Sequence, residues 1–213
     1  FASYKRGITG NTDKMGVWIS GFFGSGKSHF LKILSYLLEN KEVGGKKAID
    51  YFVDDNKIFD QMVLADMKLV GTIPTDVVLF NIDSKSEVNG KQSKDAIVSV
   101  LQNVFNEMQG FSGSNPFLAD LERKLTEEGK YDLFKEKFED SFGSTWEEAR
   151  SDFDFIQDDV VEVLDEINFM TIEAGRNWCE KATGEYAYKV EDFARLVKKY
   201  LDKKENNHHI VFL

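Results

Sequence analysis

Eight consecutive residues, Gly21, Phe22, Phe23, Gly24, Ser25, Gly26, Lys27 and Ser28, meet the pattern G-x-x-x-x-G-K-S in full. The spacing suits phosphate. Glycines at 21, 24 and 26 let the backbone take positive φ and bring its N–H groups close to phosphate oxygens. A helix that begins near Lys27 points the positive end of its dipole at the same anion. Lys27 is placed to stabilise β- and γ-phosphates, and the Ser28 hydroxyl to hold Mg²⁺, so the cofactors expected are ATP and Mg²⁺. His29 adjoins the phosphates and is a candidate nucleotide contact, with packing on the first helical turn as the alternative. Hydrolysis also needs an acid that orients the metal and a water. Asp83, at the end of an apolar run, is one candidate, with a strand-end turn as its structural alternative. The catalytic acid is otherwise unassigned.

The elements that must position this loop follow from the apolar pattern. Residues 15–20 (Met-Gly-Val-Trp-Ile-Ser) form a short apolar run that predicts a buried strand before the loop. Residues 28–40 predict a helix with Phe30, Leu34, Leu37 and Leu38 on one face. Asp54, Asp55 and Asn56 predict a turn, and 57–68 a helix. Residues 77–83 predict a second strand and 208–213 a third. The periodicity predicts a helix over 95–108, with Ile97, Val100, Leu101, Val104, Phe105 and Met108 in phase. Beyond it lies a largely helical stretch. There Asn115-Pro116 starts a helix, Gly129 ends it, and Ser144 with Glu147 fits a capping box. The order of elements predicts an α/β fold, a P-loop NTPase three-layer core with a largely helical insertion. The expected division is a phosphate-binding part at 15–110, an insertion at 111–207 and a core strand at 208–213.

The stretch from Gly16 through the loop to Asn40 resembles the P-loop protein of bacterial BREX phage-defence systems, the BrxC/PglY type. Residues 78–86 and 209–213 are similar to the same family. The resemblance implies a large AAA+-like ATPase that works with other BREX components, including a DNA methyltransferase, to protect the host from phage. The phosphate role carries onto Gly21, Gly24, Gly26, Lys27 and Ser28. The resemblance places the family's acidic pair just after the position of Leu213, so these residues are expected to bind nucleotide and to turn it over poorly. On this reading the chain is the amino-terminal part of one ATPase domain, with a homo-oligomer as a further expectation.

Composition narrows the partners. The 13 Lys+Arg and 13 Asp+Glu of residues 1–110 cancel, whereas 14 against 24 in residues 111–213 give the entire net charge of −10. An acidic surface repels a phosphate backbone, so DNA is expected only indirectly or through other domains. No apolar run approaches a bilayer span, and Cys179, the one cysteine, has no partner for a disulfide. A cytoplasmic protein without a membrane role is the expectation. Nine acids and one base fall in 147–166, which reads as a solvated helix face or, more sharply, as a cation or basic-partner site. Trp18, Trp146 and Trp178 are expected in cores. His208 and His209 have no third metal ligand nearby.

The function expected is an ATP-binding module of a phage-defence ATPase. A P-loop signalling ATPase with a helical regulatory insertion is the alternative. A kinase ranks below both, because Arg123, Arg150, Arg176 and Arg195 are too scattered to form a lid.

Overall fold

A computed structural model describes residues 1–10, 16–82, 94–204 and 207–213. The chain divides into two units, residues 1–81 with 194–213, and residues 82–193.

The first unit carries the phosphate-loop motif. Helix α1 (Ala2–Thr9) precedes it and α2 (Lys27–Glu39) follows it. A two-residue hairpin joins β1 (Glu42–Val43) to β2 (Lys46–Lys47). Gly44 and Gly45 both sit at positive φ, 63° and 79°, as a tight primed turn requires. Helix α3 (Ala48–Asp54) ends in the expected turn, and α4 (Gln61–Val70) starts at Asp60. The Asp60 carboxylate accepts from the N–H groups of Met62 and Val63, which sets the start of α4 four residues later than periodicity predicted. Strand β3 (Thr75–Val78) pairs in parallel with β4 (His209–Phe212), Thr75 opposite His209 and Val78 opposite Phe212. Leu37, Ile49 and Met67 form the buried centre of this unit. Asn40 joins three of its elements. At the end of α2 its side chain donates to the Gly71 carbonyl at 2.9 Å and accepts from the Ile49 N–H at 3.0 Å.

The second unit is helical. It comprises α5 (Lys94–Met108), α6 (Pro116–Glu127), α7 (Tyr131–Phe142), the short α8 (Trp146–Ala149) with a 3-10 turn (Arg150–Phe155), α9 (Gln157–Glu166) and α10 (Ile172–Ala182). Helix α11 (Val190–Leu201) follows and carries the chain from this unit into the first. Asn115 caps α6 through the N–H groups of Phe117 and Leu118, with Pro116 in the first turn, as its sequence predicted. The cap of α8 is Thr145 and not Ser144; its hydroxyl accepts from Glu148 N at 3.3 Å. Leu118, Leu121 and Leu125 of α6 meet Phe134 and Phe138 of α7, Trp146 of α8 and Val160, Val163 and Leu164 of α9 in one core. On α10 the buried face is small, with Gly175, Cys179 and Ala182, so α9 packs closely against it.

The expected three-layer α/β core is not what the chain forms. Helix makes up 62% and strand 6%, and among the described residues the two sheets have two strands each, too few to be covered by helices on both faces. Two expected strands account for the difference. Residues 16–20 are irregular and unpaired, with Val17 and Trp18 at 69% and 91% exposure. An apolar run becomes a strand only where a neighbour takes its backbone hydrogen bonds, and no described strand does so here. The expected strand at 77–83 starts earlier and stops at Val78, although two further bonds extend the pairing, Leu213 N donating to Val78 O at 2.8 Å and Phe80 N to Leu213 O at 3.0 Å. Asp83 and Met15 lie outside the described residues. Trp18, expected in a core, is at the surface, whereas Trp146 is buried and Trp178 half-buried. Among the described residues no helix is long and apolar enough to cross a membrane.

Candidate functional site

Gly24 and Gly26 take φ of 75° and 84°, in the left-handed region, so the motif's second and third glycines are needed for the backbone path itself. At Gly21 a Cβ would lie 2.7 Å from the Ser25 hydroxyl oxygen, a contact that a turn of the Ser25 side chain relieves. The turn closes through Ser25 N donating to Phe22 O at 3.1 Å, and the chain then enters α2 directly at Lys27. Gly26 occupies the N-cap position and has no side chain to spend on the helix start, and among the described residues no side chain caps it. The first-turn N–H groups of a 13-residue helix therefore face an exposed loop with the dipole's positive end behind them.

The Lys27 ammonium curls over the same loop. It donates to the carbonyl oxygens of Gly21 at 2.8 Å and Phe22 at 2.7 Å, and reaches the Ser25 hydroxyl at 3.5 Å. Ser28 and His29 are exposed on the first turn. Phe22 and Phe23 are 90% and 105% exposed. The uncapped start of α2 and the Lys27 ammonium, held by two loop carbonyls, thus lie on the same exposed loop. The exposed Ser28 hydroxyl is a suitable single ligand for a divalent cation whose other ligands come from phosphate and water. Among the described residues no three His, Cys, Asp or Glu side chains converge on a metal.

No family model and no solved structure matches the chain.

Elsewhere in the first unit the structure brings together a group that linear spacing hides. Asp76 on β3 accepts from the Tyr200 hydroxyl at 2.6 Å and pairs with His208 Nε2 at 2.8 Å, with Lys204 Nζ at 4.0 Å. Partial burial acts to raise the Asp76 carboxyl. The hydrogen bonds from Tyr200 and His208, with the charges of His208 and Lys204, outweigh it and hold the carboxyl below the usual range. Tyr200 and His208 lie 124 and 132 residues away in the chain, so no sequence signal marked this cluster. It fastens α11 and the start of β4 to β3. The nine acids of 147–166 all retain solvent contact, which agrees with a solvated face. Burial, with Asp158 nearby, pushes the Cys179 thiol up to about 11, so it stays protonated and unreactive near neutrality.

Proposed function

We propose that residues 21–29 bind the phosphates of a nucleoside triphosphate, with ATP and Mg²⁺ the expected pair. The observation that carries the reading is the conjunction of positive φ at Gly24 and Gly26, an uncapped start of α2 and an ammonium held over the loop by two of its carbonyls. Phosphate oxygens would take the first-turn amides and draw Lys27 off the carbonyls of Gly21 and Phe22. Ser28 would contribute its hydroxyl to Mg²⁺, which supplies further charge neutralisation at the phosphates. On the strength of the resemblance over 16–40, we place this binding in a BREX-type defence protein. There ATP binding would drive assembly with other components or DNA-directed defence.

Calorimetric titration with Mg·ATP tests the binding, comparing the unmodified chain with Lys27→Ala and Ser28→Ala. Charge-assisted hydrogen bonds contribute ~1.5–3 kcal/mol each, so Lys27→Ala is expected to weaken binding roughly 10- to 100-fold. Ser28→Ala is expected to abolish the dependence on Mg²⁺. Equal affinity in Lys27→Ala would overturn the site. The defence role is tested separately by phage plating on a host carrying Lys27→Ala in its own copy. Undiminished protection would remove the defence reading and leave nucleotide binding in place.

A further inference from the structure

In the second unit, α5, α6 and the segment after α10 meet along a polar seam. Gln102 and Asn106, one helical turn apart on α5, are 2% and 1% exposed. Gln102 Nε2 donates to the Tyr186 hydroxyl at 3.1 Å. Arg123 on α6, with 12% of its side chain exposed, donates from Nη1 to Asp120 at 2.7 Å and from Nη2 to Asn106 Oδ1 at 2.7 Å. The Phe111 ring lies over the guanidinium, 5.3 Å from it, and covers one face. Two nitrogens of this seam are buried and donate to nothing among the described residues: Asn106 Nδ2 and Arg123 Nε.

These two belong to side chains already hydrogen-bonded to one another. Nδ2 is one carbon away from the Oδ1 that accepts, and Nε one carbon away from the Nη2 that donates. One acceptor beside the Asn106–Arg123 bond can therefore take both N–H groups. A buried donor without an acceptor carries its full desolvation penalty, and native interiors leave very few. Charge decides what the acceptor is. Asp120 already neutralises Arg123 at 2.7 Å, so a second anion in the seam would meet a carboxylate with no cation left to offset it. The site calls for a neutral oxygen.

We propose that the second unit binds a single internal water, held by Asn106 Nδ2 and Arg123 Nε between α5 and α6. The water accepts from the two buried nitrogens that have no acceptor among the described residues. It makes the α5–α6 contact specific to an oriented polar pair. The experiment is water-selective NMR cross-relaxation on the full chain, read at the Asn106 side-chain amide and the Arg123 Nε–H. Both protons are expected to show cross-peaks to a water that outlives the tumbling of the protein. Both cross-peaks should be lost in Asn106→Leu, whose helical content by circular dichroism must match the unmodified chain. Should that variant not fold, a crystal structure of the unmodified chain grown in bromide serves as the second measurement. One light, non-anomalous peak within hydrogen-bond distance of both nitrogens supports the proposal. Cross-peaks at neither proton, a protein carbonyl taking both N–H groups, or an anomalous bromide peak at the site would each overturn it.

Discussion

Glu122 shows how much one misplaced-looking residue can organise. It lies in the apolar stripe of α6 with no exposed surface, and four donors surround it. Trp146 Nε1 and Arg150 Nη1 reach its Oε1 at 2.7 Å, the Tyr131 hydroxyl at 3.1 Å, and Ser112 N reaches Oε2 at 2.5 Å. Burial raises the Tyr131 hydroxyl far above its ordinary value, and the Glu122 charge and hydrogen bond raise it further, so the tyrosine remains a donor at any working pH. Glu122→Ala strands the Arg150 charge and the Trp146 N–H together. We expect a loss of ~3–5 kcal/mol in denaturant unfolding, with Glu122→Gln losing less because one carbonyl oxygen remains. Equal stability of Glu122→Ala and the unmodified chain would refute this. Lys27→Ala offers the contrast. Its three contacts are all exposed and local to the loop, so the unfolding free energy is expected to stay within about 0.5 kcal/mol of the unmodified chain. A glutamate in phase with Leu118, Leu121 and Leu125 was a signal the sequence did carry. The Asp76 cluster was not, because its members meet only after the chain has folded across more than a hundred residues.

Helices and strands differ in how far their own residues determine them. Helix α6 was legible because its start signal, Asn115-Pro116, and its stop signal, Gly129, lie at its own ends, and a helix closes its hydrogen bonds within itself. The run at 16–20 was misread because a strand needs a neighbour, and the neighbour's presence is not a property of those five residues. Strand β3 has its neighbour in β4 and gains a pin at Asp76. Because the Asp76 carboxyl is depressed in the folded state, its contribution is complete above the ordinary carboxylate value of 3.8 and is lost as pH falls through the lower folded value. The stability of the unmodified chain should therefore fall more steeply below about pH 4 than that of Asp76→Asn. Parallel acid-unfolding curves would contradict the pin. At the α9–α10 contact the constraint is space. A Cβ at Gly175 would lie 3.0 Å from both methyls of Val161, so Gly175→Val should overpack the interface and cost ~1–3 kcal/mol. Val161→Ala in the same chain should recover part of the loss, a non-additivity that a double-mutant cycle measures.

Taken one at a time, the two units hold very different amounts of interior. The second buries a continuous set of side chains from five helices and the 3-10 turn, whereas the first centres on Leu37, Ile49 and Met67. Stability within a protein follows such differences. Hydrogen exchange read by mass spectrometry should show slower amides in α6, α7, α9 and α10 than in α2, α3 and α4. The reverse order would mean that the small core is supported by something other than its own packing. The tryptophans happen to be distributed along the same gradient. Trp18, 91% exposed, stands three residues before the phosphate loop; Trp146, at 0%, is sealed against Phe134 and Phe138; Trp178 is intermediate against Phe153. The protein thus carries its own fluorophores at three depths. Iodide should quench a red-shifted component from Trp18 and leave the blue-shifted Trp146 emission intact. Anion binding at residues 21–28 should then be visible as a change confined to the quenchable fraction, with no label attached.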